Sequence, residues 1–450
     1  MDVVTKPQAI LSSPAEHMPM ANRLQHRTKR SPNRAVKSAA LALVAIFLLF
    51  NVASAIYTVV TGEYNGDFYG VAVDLSLSSQ LTLFVASCLP FFVLWRFFLQ
   101  IEQQRPGRQI EIPLRFLKVF VPLLLLLQIY VTLQFQVGVI GQPAYQITGP
   151  MKLFVLLINR FQPFYIGTFF LLVLPRRSWL ELLTIALLIW VGLLRAGLGA
   201  FLYVGLALIL KYHTEIAAFA RRRHIVILLG LCVVPLIVTN LYDLRNTLRQ
   251  DEGFADYSVA TLVTGLFLGR ISSFSNSMVV VENTDYFAQA ANTLDTLYFQ
   301  KQMIGGVLGA GFMPSSTPQS LLINVSGGDI ENYSYMTGLI GDLNIAAHQG
   351  LIYALLNVLS VCLIIFATVW VAKAFRFPQS GAFGLMLLLY PTMSGVASEY
   401  SAVLYFFVVL ALLLGSVNAL NRLRKPRRRR VGGRLSAHAL SNVPALRQGA

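Results

Sequence analysis

The sequence predicts an all-α polytopic membrane protein. About ten transmembrane helices, both ends on the cytoplasmic side, and a large outer loop with short interfacial helices are expected. Three observations predict this fold. Of 450 residues, 56% are hydrophobic and only 12% charged, about half the charged share of a typical soluble domain. Apolar runs recur between Ala39 and Leu420, each about the 20 residues that cross a hydrocarbon core of roughly 30 Å. The net charge of +16 is concentrated at the ends: residues 1–37 hold seven Lys/Arg against two acids, and residues 421–450 hold nine against none. Those ends carry 14 of the 16 charges. They read as positive-inside anchors on anionic lipid, not as a nucleic-acid surface, so no nucleic-acid partner is expected.

Residues 1–37 form a basic cytoplasmic arm without the pattern of a cleavable signal. A first bundle over 38–241 holds about seven spans, at 38–60, 75–99, 116–140, 150–174, 178–194, 197–212 and 224–241. The last three, within 350–420, are placed at 350–373, 380–396 and 401–420, and 421–450 is a basic cytoplasmic tail. The connections test this count. Residues 100–115, Arg176-Arg177, the segment 211–224, "AKAFRF" and "NRLRKPRRRR" are all basic. In a ten-span arrangement all five fall on the side of the N-terminus. The break between the fifth and sixth spans rests on Arg195 and the glycines of "LLRAGLGAF" (193–201).

Residues 242–349 form a long connection on the outer side, with ten acids and four bases. Long loops in compact domains are mostly functional. This one is not uniformly hydrophilic. "YSVATLVTGLFLG" (257–269) and "MIGGVLGAGFM" (303–313) are apolar and glycine-rich, and 285–299 has one apolar helical face. Short helices at the outer interface, or dipping into it, are the expectation. The three cysteines, Cys88, Cys232 and Cys362, lie far apart in apolar segments and read as free thiols. No Cys/His spacing or DxD pattern suggests a metal, and no cofactor is expected. No internal repeat supports an inverted-repeat transporter.

Charge inside a membrane segment is costly and usually functional. Arg160 lies near the middle of the fourth span, beside Asn159 and before Pro163. Arginine does not neutralise, so it needs an anion, an ion-pair partner or a route to the interface. Arg195 sits on the outer side, where a topology role serves poorly. Arg270, in "LFLGRISSF", is followed by Ser272, Ser273, Ser275, Asn276 and Ser277. It reads as a phosphate ligand, because its fork matches phosphate oxygens, or as the partner of one of the ten loop acids. In "GGDIENYSYMTGLIGDLNIAAHQG" (327–350), Glu331, Asp342 and His348 are candidates to activate or position a hydroxyl. Asp342 and His348 also read as helix-end and interfacial residues.

The chain resembles bacterial O-antigen and exopolysaccharide repeat-unit polymerases, the Wzy family, and more distantly the O-antigen ligases. The likeness covers about residues 38–420. It rests on many spans with a late outer loop, on the arginine of "LGRISSF", on Gly341-Asp342-Leu343 followed by Gly350, and on the arginine-glycine turn at Arg195. The family's second glycine after Gly350 is replaced here. The resemblance implies metal-independent glycosyl transfer at the outer, periplasmic face of the bacterial inner membrane. The donor is an oligosaccharide on undecaprenyl diphosphate and the acceptor a sugar hydroxyl of another lipid-linked unit. A chain-length co-polymerase is an expected partner besides the membrane lipids. Arg270, with Arg195 and Arg160, is then expected at the diphosphate. Asp342, Glu331 or His348 is expected at the acceptor, and Tyr333, Tyr335 and Phe274 against sugar faces. Asn159 and Ser273 are expected at the substrate. An O-antigen ligase delivering to lipid A core, and a flippase or transporter of lipid-linked oligosaccharide, are the rival readings.

Overall fold

The computed structural model describes residues 32–104, 109–139, 147–195, 199–223, 267–325 and 335–424, with isolated positions between 236 and 265. The described part is helical throughout, and the protein is a multi-pass membrane protein. Helices of eight or more described residues are numbered in chain order. The first seven are α1 (Pro32–Thr61), α2 (Leu77–Gln103), α3 (Leu114–Phe135), α4 (Pro150–Arg160), α5 (Pro163–Val173), α6 (Trp179–Leu194) and α7 (Gly199–Arg222). Then come α8 (Ser273–Glu282), α9 (Thr284–Ala291), α10 (Tyr298–Leu308), α11 (Pro318–Val325) and α12 (Gly338–Gln349). The chain closes with α13 (Leu351–Lys373), α14 (Ser380–Ser394) and α15 (Ala397–Arg424).

Among the described residues, seven segments are long and apolar enough to cross a membrane: α1, α2, α3, α4 with α5, α7, α13 and α15. Their outward faces are as greasy as their inward ones. Leu359 and Leu363 of α13 are 54% and 59% exposed, as expected where hydrocarbon replaces water. Helix α6, of 16 residues, and α14, of 15, are shorter. The expected span at 224–241 lies almost wholly outside the described residues.

The fourth expected span is two half-helices. α4 ends at Arg160, Gln162 takes a left-handed φ of 52°, and Pro163 starts α5 without an N–H to continue the ladder. Broken helices persist in membranes where neighbours satisfy the freed groups. α14 lies in the middle of the bundle with 14 buried residues, including its interior Pro391. It packs on α1, α2, α7, α13 and α15.

Described helices of the 242–349 connection pack against the long helices. α8 is buried from Ser273 to Val280 and packs against α1, α2, α12 and α14. α10 packs along α15. Of these helices α8 is the one buried along most of its length.

The opposite, basic end is tied by cations on carbonyls. Lys373 Nζ donates to the carbonyls of Ile101, Glu102 and Gln104 at the end of α2. Lys211 pairs with Glu181 at 2.9 Å, both side chains 3% exposed, and also donates to the Leu171 carbonyl.

Candidate functional site

The placement of Arg270 begins with two glycines. The turn after α1 reads "YNGDFYG" (64–70). Gly66 there has φ +83°, and the backbone of Gly269 lies directly on it. A Cβ on Gly269 would stand 2.0 Å from the Gly66 nitrogen, so no larger residue fits. This contact sets Arg270 beside Asp67, with Arg270 Nε donating to Asp67 Oδ1 at 2.5 Å. The Asp67 side chain is 7% exposed and that of Arg270 27%. Asp67 Oδ2 is buried without a hydrogen-bond partner. An acid that meets Arg270 thus comes from the turn after α1.

The polar run after Arg270 is spent largely on structure. Asn51 of α1 accepts from Ser272 Oγ at 3.0 Å and from the Phe274 N–H at 3.1 Å. Ser275 Oγ donates to the Asn65 carbonyl at 2.7 Å, while Ser272 caps α8. Ser277 Oγ accepts from the Gly341 N–H at 3.2 Å and so fixes α12 on α8. Ser273 is fully buried with no partner for its hydroxyl. Tyr335 reaches the same turn, its ring 5.3 Å from that of Phe68.

Arg195 caps the end of α6. Its guanidinium lies against Gly138, where a Cβ would meet Nη2 at 2.6 Å. Its Nε is buried without a hydrogen-bond partner. Among the described residues Arg195 forms no ion pair. It lies within electrostatic reach of Tyr165 on α5. Tyr165 packs edge-on to Tyr203 of α7 at 5.6 Å, and Tyr203 meets Tyr390 of α14 at 5.7 Å. Tyr390 in turn lies within reach of Arg270 and Asp67. A row of three tyrosines therefore joins the two arginines through the bundle interior.

One more charge faces this row. Glu399, in the first turn of α15, lies within reach of Tyr165, Tyr203 and Tyr390. Its Oε2 accepts from Ser394 Oγ at 2.6 Å.

The remaining candidates are dispersed. Arg160 donates from Nη1 to the Val307 carbonyl and from Nη2 to the Leu308 carbonyl at 2.9 Å. It caps the C-terminus of α10, where cations are favoured. Asn159, beside it, is half-buried and makes no side-chain hydrogen bond among the described residues. Asp342 is fully buried. Its Oδ1 accepts from Thr337 Oγ1 at 2.7 Å and Gln319 Nε2 at 3.5 Å, and its Oδ2 has no partner. Burial pushes its carboxyl up to about 7. His348 is exposed in the last turn of α12, on a different face from Asp342. Glu331 and Tyr333 lie outside the described residues. Among the described residues no three His, Cys, Asp or Glu side chains are grouped to hold a metal ion.

The structure thus brings Arg270, Tyr335 and Asp67 together and connects them to Arg195 and Glu399 through tyrosines. It leads Arg160 and Asp342 into other networks. Asp67, Glu399 and the tyrosine row are the residues that sequence reasoning missed. Asp67 carries a local signal, an acid in a glycine turn. Glu399 was legible as an acid at the head of the apolar run "SAVLYFFVVLALLLG" (401–415). The tyrosines have no such signal, since aromatic residues in apolar helices are ordinary core.

The chain matches no protein-family model, no curated protein and no solved structure.

Proposed function

We propose that the protein polymerises oligosaccharide repeat units carried on undecaprenyl diphosphate, by metal-independent glycosyl transfer at the periplasmic face of the bacterial inner membrane. The observation that carries this reading is the pair Arg195 and Arg270, joined by a tyrosine row inside a helical membrane protein. Breaking the anomeric C–O bond leaves negative charge on a diphosphate. Guanidinium groups fixed in advance in a partly dehydrated interior stabilise that charge without reorganisation. Their planar forks match phosphate oxygens two at a time. Asp67 engages Nε of Arg270 and so sets the direction of its fork. Tyrosine rings suit the other half of the substrate, since they offer apolar faces to sugar rings and hydroxyls to their edges.

Polymer analysis of a deletion strain of the source organism tests this. Complementation with the wild-type gene is expected to restore a ladder of repeat units. Arg270→Ala and Arg195→Ala are expected to leave single capped units. Complete loss of capped glycan on deletion would favour the ligase reading, and a full-length ladder from Arg270→Ala would remove the diphosphate role.

A further inference from the structure

Two opposite charges in the bundle interior do not meet. Arg195 and Glu399 both lie within electrostatic reach of Tyr165, yet among the described residues neither forms an ion pair. Both are half-buried, and a charge partly withdrawn from water gains from a partner. Glu399 has the start of α15 and one serine for company. Its Oε1 makes no hydrogen bond among the described residues. Arg195 Nε is orphaned. Between them lies Tyr203, 5% exposed, whose hydroxyl interacts with that of Tyr165. An orphaned guanidinium nitrogen and an open, half-buried carboxylate oxygen beside one tyrosine row fit a bound molecule with an anionic part at the arginine and a hydroxyl at the carboxylate.

We infer that Glu399 is the catalytic base of the transfer, a role resting on the polymerase reading above. Its carboxylate takes the proton from the acceptor sugar hydroxyl. The hydroxyl oxygen bonds to the donor's anomeric carbon as the C–O bond to diphosphate breaks. The diphosphate leaves with the bonding electron pair, held by the arginines, and the proton stays on Glu399 until it passes to water. Tyr203 hydrogen-bonds the acceptor and positions it. Asp342 is the less suited carboxylate. One oxygen already accepts from Thr337 and Gln319, and the other is sealed in the packing between α12 and its neighbours.

The test compares wild type, Glu399→Gln, Glu399→Asp and Arg270→Ala, purified in detergent with the source strain's lipid-linked oligosaccharide. Undecaprenyl diphosphate is the binding probe. Glu399→Gln is expected to lose about 10²- to 10⁴-fold in turnover, the usual worth of a general base, while binding the probe as wild type does. Arg270→Ala is expected to lose the probe. Wild-type turnover by Glu399→Gln alongside an inactive Arg270→Ala overturns the role of Glu399 and leaves the polymerase reading intact. Loss of probe binding in Glu399→Gln also overturns it, by making the residue part of the donor site. No transfer by the wild-type protein sinks both. If the Gln variant fails to fold, Glu399→Asp decides. It keeps the charge but withdraws it by one methylene, so kcat should fall at least about tenfold with KM unchanged. An unchanged kcat overturns the proposal.

Discussion

Asp67 and Asp342 show two fates for a buried carboxylate. Asp67 meets a cation and keeps a fixed fork in place. Asp67→Asn preserves the volume but removes the charge. Hydrogen bonds to charged groups are worth about 1.5–3 kcal/mol, so a loss of that size is expected in a detergent melting experiment, with reduced polymerisation. An unchanged melting temperature and normal polymer would show that the contact is incidental. Asp342 meets only neutral donors, and burial lifts its carboxyl from 3.8 to about 7. The folded state therefore holds a proton that the unfolded chain has already lost. The stability this contributes is fully present below pH 4 and declines as pH rises toward 7, by an amount on the order of a few kcal/mol. Asp342→Asn, which cannot ionise, should flatten that decline. Equal pH slopes for the two proteins would show that Asp342 ionises freely.

At the scale of helices and turns, backbone contact does the positioning. Gly269 on Gly66 fixes where Arg270 arrives. A methyl group at Gly269 must push the turn after α1 away from α8. Overpacking of this kind costs about 1–3 kcal/mol. Gly269→Ala is expected to lower the melting temperature and to uncouple Arg270 from Asp67, whereas Gly199→Ala, which meets open space, should do neither. Retained activity and stability in Gly269→Ala would contradict this packing. The same scale explains what was legible. Arg270, Arg195 and Asp342 stand out because charge amid apolar residues is costly. Asp67 escaped because its partner lies 203 residues away. The serine-rich run after Arg270 is polar in sequence. It is buried because Asn51 and Asn65, remote in sequence, satisfy its hydroxyls and amides. Arg160 was legible as an intramembrane charge, but its acceptors are helix-end carbonyls, which no side-chain pattern announces.

Over the whole molecule, composition and apolar run length carried the membrane assignment, and the long helices agree with it. Finer divisions were harder to read. Pro163 splits one expected span into two half-helices, and α14 ends after 15 residues at Gly395, which takes a left-handed φ of 76°. The 242–349 connection supplies α8, α10 and α12, which pack on the long helices, so Arg270 meets the turn that follows α1. Arg195 comes from the end of α6, Arg270 from the connection and Glu399 from α15. The candidate site exists only when these three distant parts of the chain pack together, which is why no single stretch contains its pattern. The proposed chemistry requires that Arg195 and Arg270 hold a diphosphate within this interior. Direct binding of radiolabelled undecaprenyl diphosphate to the purified protein, in the presence of EDTA, tests it most closely. Binding by the wild type is expected, with at least about tenfold weaker binding by Arg195→Ala and by Arg270→Ala, a loss of roughly 1.4 kcal/mol each. Wild-type affinity in both variants would contradict it.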